Sequence, residues 1–147
     1  MFKILEEEKP QYLAVAFDLK APTFRHKRYA QYKGTRKPMP EELRQQVPVM
    51  KEVLSVMGIL TMEQEGYEAD DILGTLSNAC GEDDFCYILT GDRDSLQLVR
   101  ENVNVLLAST KMGRPQSVCY DNAKIKEDYF VTPEQMIDIK ALMGDAS

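Results

Sequence analysis

"FCYILTGD", residues 85–92, decides the fold: it is an apolar run of strand length that stops at a carboxylate, Asp92. A nearly continuous run of this kind suits a strand covered on both faces, as in a parallel sheet. "YLAVAFD", 12–18, repeats the pattern and also ends on an aspartate, Asp18. "GILTMEQ" can form another strand, and "VNVLLAST" and "SVCYD" flank the turn "KMGRPQ" as two more. Helical periods lie between them. Leu43, Val47, Met50, Leu54 and Met57 recur at spacings of four and three, and Ile72, Leu73, Leu76 and Cys80 follow Asp70 on one side. Pro48 either kinks the first helix or opens a second piece in its first turn. A short helix is expected around "SLQLV", and another in "TPEQMIDIKALMG", with Thr132 as N-cap and Pro133 at the first helical position. Strands alternating with helices give an α/β fold with a mainly parallel sheet flanked by helices.

With 147 residues and 44% hydrophobic content, the chain fits one domain able to bury a core. Its start lacks the apolar run and flanking charge of a secretory signal, and no stretch approaches the ~20 apolar residues of a membrane helix, so an intracellular protein without membrane attachment is expected. Cys80, Cys86 and Cys119 are odd in number and widely spaced, which predicts reduced, mostly buried thiols. The net charge of −6 argues at first against a nucleic-acid partner. Its distribution argues the other way. Lys20, Arg25, Lys27, Arg28, Lys33, Arg36 and Lys37 lie within residues 20–37 without one Asp or Glu, interleaved with Phe24, Tyr29 and Tyr32. A solvated loop is the plain reading of such a run; the aromatics suit a surface that meets phosphates and stacks on bases.

The acids gather too. In "GYEADDILGTLS", 66–77, Glu68, Asp70 and Asp71 stand at a helix start, where acids also serve as caps and complement the helix dipole. Asp92 and Asp94 in "GDRD" could likewise form a turn and cap. In open α/β sheets, however, sites form at the carboxyl ends of strands, where Asp18 and Asp92 fall. Carboxylates brought together without counter-charge repel one another. Their hard oxygens suit Mg²⁺ or Mn²⁺, and two such ions about 4 Å apart can serve phosphodiester hydrolysis. Acid for metal and base for an anionic substrate would account for both clusters.

"AVAFDLKAPTFRHKRYAQYKGTRKPMPEELRQQVP", "GYEADDILGTLS", "ILTGDRDSLQL" and "VTPEQMIDIKALMGDAS" closely resemble, in the same order, the 5′ to 3′ exonuclease domain of bacterial DNA polymerase I, of the flap endonuclease group with a PIN-like fold. The resemblance implies a structure-dependent 5′ nuclease of replication and repair, working by two metals on DNA with 5′ flaps or nicks and on RNA-primer hybrids. It implies a bacterial cytoplasmic, nucleoid-associated protein, with a polymerase domain attached in the parent. By motif, Asp18, Glu68, Asp70 and Asp71 would serve the first metal, and Asp92, Asp94 and Asp145 the second. Residues 19–40 would be the helical arch: Lys33 and Arg25 would contact the scissile phosphate region, and Tyr29, Tyr32 and Arg36 would line the passage. Lys20, Lys27, Arg28 and Lys37 would add DNA contacts. His26, without a partner histidine, reads as a phosphate or packing contact.

The family pattern opens with a strand like "DGNSLLYRAF" and continues past "MGDAS" to another metal-binding aspartate and a helix-hairpin-helix. By that pattern, residues 1–147 are expected to be a single, truncated nuclease domain lacking a core strand, one ligand of each metal group and a DNA-binding element. The rival reading is a non-catalytic DNA-binding fragment. A phosphatase using "DRD" lacks the early D-x-D, and an EF-hand loop lacks its glycine and its bidentate acid.

Overall fold

A computed structural model of the chain describes residues 2–144. Two compact units divide it, Met1–Ile72 and Leu73–Ser147, with the boundary inside one helix. Asp145, an expected metal ligand, lies outside the described residues.

The first unit runs α1 (Phe2–Glu8), β1 (Ala14–Ala16), α2 (Phe24–Arg28), α3 (Glu41–Val56), β2 (Leu60–Met62) and the start of α4 (Ala69–Ala79). β1 and β2 pair in parallel, with Ala14 opposite Leu60 and Ala16 opposite Met62. β1 is shorter than the apolar run suggests and only half-buried. α3 continues through Pro48 as one helix, and its apolar stripe is buried only at Leu54. Its end explains how the chain enters β2. Gly58 takes a left-handed φ of 71°, its N–H donates to the Ser55 carbonyl at 3.0 Å, and Ile59 N–H donates to that of Leu54 at 2.9 Å. This double closure satisfies the last carbonyls and turns the backbone sharply, which favours glycine.

The second unit holds β3 (Cys86–Thr90), β4 (Val103–Lys111) and β5 (Arg114–Tyr120), in that spatial order. β3 and β4 are parallel, from Cys86 opposite Val103 to Thr90 opposite Leu107; β5 returns antiparallel. A short 3-10 helix, Arg93–Leu98, follows β3, and α5 (Asn122–Tyr129) and α6 (Met136–Met143) follow β5. Ile88, Leu96, Val99, Val103, Val105, Leu107, Tyr120 and Ile125 form one buried cluster, so the 85–92 run supplies a core strand as expected.

Several expectations need correction. "KMGRPQ" is mostly strand: only Met112 and Gly113 turn, both at left-handed φ (51° and 72°), the backbone that a two-residue hairpin with native twist demands. Pro115 is tolerated within β5 because that strand lies at the sheet edge. α6 begins at Met136 rather than Pro133. Residues 132–135 are held instead by Gln135, whose side chain accepts from Thr132 N–H at 3.0 Å, and by a bond from Gln135 N–H to the Thr132 carbonyl at 3.1 Å. α5 shows no apolar period in the sequence, because its charged stretch buries only Ile125. The thiols are free, but Cys80 and Cys86 are half-buried and Cys119 is exposed on the edge strand. Among the described residues no helix is long and apolar enough to cross a membrane.

Leu96 is fully buried in the cluster. Leu96→Ala is therefore expected to cost about 2–5 kcal/mol, read as a lowered urea midpoint, whereas Tyr12→Ala, at a 91% exposed position, should change stability by less than about 0.5 kcal/mol.

Candidate active site

The basic segment is tied down locally before it reaches the acids. Thr23 is the N-cap of α2; its backbone N–H donates to His26 Nδ1 at 3.2 Å, and its hydroxyl lies 2.8 Å from the same nitrogen. The His26 ring also meets the edge of Tyr32, with centroids 5.1 Å apart. Within the described structure, His26 is thus a packing and capping residue. Phe24 N–H donates to the Gly66 carbonyl at 2.9 Å, and the Phe24 and Tyr67 rings meet at a tilt of 55°, with centroids 5.7 Å apart. Gly66, at φ 84°, takes a conformation that favours glycine. These contacts bring α2 against the loop that leads into α4.

Arg25 uses that placement. Its Nη1 and Nη2 donate to Asp71 Oδ2 and Oδ1, each at 2.7 Å, a two-pronged match of planar guanidinium to carboxylate. Nη1 also lies 3.3 Å from Glu68 Oε2, and the guanidinium sits over the Phe24 ring at 4.5 Å. Glu68 is buried and accepts from Lys33 Nζ at 2.7 Å and from Tyr32 hydroxyl at 2.9 Å. Lys33 arrives through consecutive tight turns, and its φ of 55° is a left-handed conformation costly for a side chain of its kind. At the same helix start, Asp71 Oδ2 accepts from Glu68 N–H at 2.9 Å, and Asp18 Oδ1 accepts from Ala69 N–H at 2.6 Å. The capping role is real for Asp71 and Asp18. It does not exhaust them, because Asp71 also holds Arg25.

The electrostatics follow from these partners. Hydrogen bonding to Arg25 holds the Asp71 carboxyl below the usual range, against the cost of burial and with help from the Glu68 backbone. For Glu68, burial opposes the charge, but the bonds from Lys33 and Tyr32 outweigh it and the pKa is lowered. Burial opposes the Lys33 ammonium as well, and Glu68 more than compensates, raising it. Burial and the Glu68 bond together push Tyr32 up.

Glu68, Asp71, Arg25, Tyr32 and Lys33 are thus brought together, with Asp18 on the same helix start. Asp70 is exposed in the first turn of α4, and Lys20, Lys27, Arg28, Tyr29, Arg36 and Lys37 are exposed. In the second unit, Asp92 caps the 3-10 helix by accepting from Asp94 N–H at 2.9 Å, and Asp94 pairs with Lys140 at 2.9 Å. Lys140, Tyr67 and Thr23 carry no motif in the sequence that assigns them these contacts; for Thr23 the one available signal is the Thr-x-x-His spacing to His26.

The donor set of Glu68, Asp71 and Asp18 is all carboxylate oxygen, which suits a hard divalent cation; Arg25 and Lys33 supply the positive charge beside the first two. Among the described residues, no three acids, histidines or cysteines are gathered tightly enough to hold one together. The carboxylates are arranged around Arg25 and Lys33.

The α/β architecture is shared with nucleases of bacteriophage T5. A T5 protein co-crystallised with metal ions matches with a TM-score of 0.76 at 24% identity, over 98% of this chain and 56% of that one. The T5 flap endonuclease in a pseudo-enzyme-product complex with DNA and metal ions matches with a TM-score of 0.72 at 23% identity, over 98% of this chain and 55% of that one. Residues 1–130 match the family model of the 5′-3′ exonuclease, N-terminal resolvase-like domain, and the chain belongs to that family. DNA polymerase I of Caldicellulosiruptor bescii is 45% identical over 150 residues, and that of Bacillus subtilis 43% over 148, each across 100% of this chain. The chain spans 17% of the length of either relative.

The lowered Asp71 pKa sets a pH dependence in EDTA. The unfolded carboxyl takes up a proton near pH 4 while the native one stays charged. The stabilisation is therefore fully present above the unfolded pKa and is lost as pH falls through the native one. With side chains 33% and 21% exposed, Arg25→Ala should cost about 1 kcal/mol at pH 7 after screening. Urea melts should show that difference shrinking at pH 3.

Proposed function

We propose that the chain is the catalytic part of a metal-dependent 5′ nuclease, hydrolysing phosphodiesters of DNA with 5′ flaps or nicks and of RNA-primer hybrids, in replication and repair. One observation carries this reading: cations of an exposed basic segment, Arg25 and Lys33, meet carboxylates Glu68 and Asp71 at a helix start. Family membership and the nuclease names of the relatives support it.

By motif, Asp18, Glu68, Asp70 and Asp71 would hold one Mg²⁺ or Mn²⁺, and Asp92, Asp94 and Asp145 a second. When bound, such ions supply concentrated positive charge for phosphodiester hydrolysis. The chain's own residues do the rest. Residues 19–40 would act as the arch of a single nuclease domain. Lys33 and Arg25 orient the scissile phosphate and balance its charge; Tyr29, Tyr32 and Arg36 line the strand's path; Lys20, Lys27, Arg28 and Lys37 attract the backbone. The parent would carry a polymerase domain and work at the nucleoid in the bacterial cytoplasm. A second reading, a DNA-binding part without catalysis, draws on the pairing of Glu68 and Asp71 with side-chain cations in place of a gathered ligand set.

A 5′-labelled flap duplex tests this. Cutting near the junction is expected in Mg²⁺ or Mn²⁺ and not in EDTA. Asp71→Asn should lower the rate by about a hundredfold or more, and Lys33→Ala should lower it while metal still binds. Salt-sensitive DNA binding, indifferent to metal and without cleavage, would favour the second reading.

A further inference from the structure

We infer that Arg25 and Lys33 form an intramolecular counter-ion latch on Asp71 and Glu68, which a divalent cation must displace, so that metal entry releases both basic side chains toward a phosphodiester. This rests on the proposed metal-dependent nuclease.

Three observations carry it. The first is charge balance. Glu68 and Asp71 contribute two negative charges, and Arg25 and Lys33 contribute two positive charges at 2.7 Å. A divalent cation on the same carboxylates would bring two more. Cations a few ångströms apart in a partly buried site repel by several kcal/mol before screening, so the two sets compete. The second is occupancy of the oxygens. Both Asp71 oxygens accept from Arg25, and both Glu68 oxygens accept from Lys33, Tyr32 or Arg25. The carboxylates cannot turn toward a metal while those bonds last, in keeping with the absence of a gathered ligand set among the described residues.

The third observation concerns release. Lys33 sits at a left-handed φ of 55°, a cost that its bond to Glu68 offsets. Losing that bond removes the reason for the strained turn. The freed side chains belong to residues 20–37, which hold seven basic side chains and no Asp or Glu. An anion would gain cations in the same step in which the carboxylates gain metal. Metal and phosphodiester binding are then coupled reciprocally, each helping the other.

The test is titration of the full chain with MgCl2 alone, by calorimetry, at fixed ionic strength. Arg25→Gln should bind Mg²⁺ about fivefold more tightly than wild type, and Lys33→Gln should do the same. Arg44→Gln removes an equal charge, but Arg44 pairs with Glu41 on α3, and its affinity should match wild type. Nitrogen-15 spectra of wild type follow the latch without any substitution: slow guanidinium rotation at Arg25 in EDTA should become fast in Mg²⁺. Unchanged Arg25 spectra at saturating Mg²⁺, or equal affinity in wild type, Arg25→Gln and Lys33→Gln, would overturn the latch and leave the metal site standing. No Mg²⁺ binding by any of these proteins would overturn the metal reading itself, and the latch with it.

Discussion

The site depends on one constraint: Asp71 and Glu68, partly buried at the start of α4, require positive charge beside them. Arg25 supplies it to Asp71 in a two-pronged bond at 2.7 Å, and Lys33 supplies it to Glu68 at the same distance. Removing one partner leaves the charge of the other uncompensated in a partly buried place. The constraint reaches backward along the sequence. α2 has only five residues, too few to be stable alone, and is fixed by the Thr23–His26 cap, the Phe24 bond to Gly66 and the Phe24–Tyr67 ring contact. Each of these places Arg25.

Capping and ion pairing share the same carboxylate at Asp71. Asp71 accepts from the Glu68 backbone and from Arg25, and Asp18 accepts from Ala69 N–H. A helix start stabilised in this way fixes the positions of its carboxylates, and fixed carboxylates are what a cation site needs. The choice between capping residue and candidate ligand, posed by the sequence, therefore has no single answer for Asp71. Asp92 is different: the contact described for its side chain is a cap.

Elements whose local pattern agreed with their burial were legible in the sequence. The 85–92 run became β3 because Ile88 enters a real core, and α4 followed the period of Ile72, Leu73 and Leu76. Errors came where tertiary bonds override local signals. Thr132 and Pro133 look like a helix start, yet the Gln135 side chain holds that stretch as a turn. The Met112–Gly113 hairpin is tighter than its proline suggested, because an edge strand tolerates Pro115. At the site, the sequence showed which residues carry charge and in which segments. That Arg25 faces Asp71, and Lys33 faces Glu68, depends on contacts 46 and 35 residues apart, which no local period encodes.

Glu68 and Asp71 are proposed to form a cation site, held in this structure by the protein's own side chains. Anomalous diffraction from crystals of the chain soaked in MnCl2 tests it most directly. A manganese peak is expected within coordination distance of Glu68 and Asp71, with Arg25 and Lys33 turned away from them. Full Mn²⁺ exposure with no peak there, and Arg25 still seated on Asp71, would contradict it.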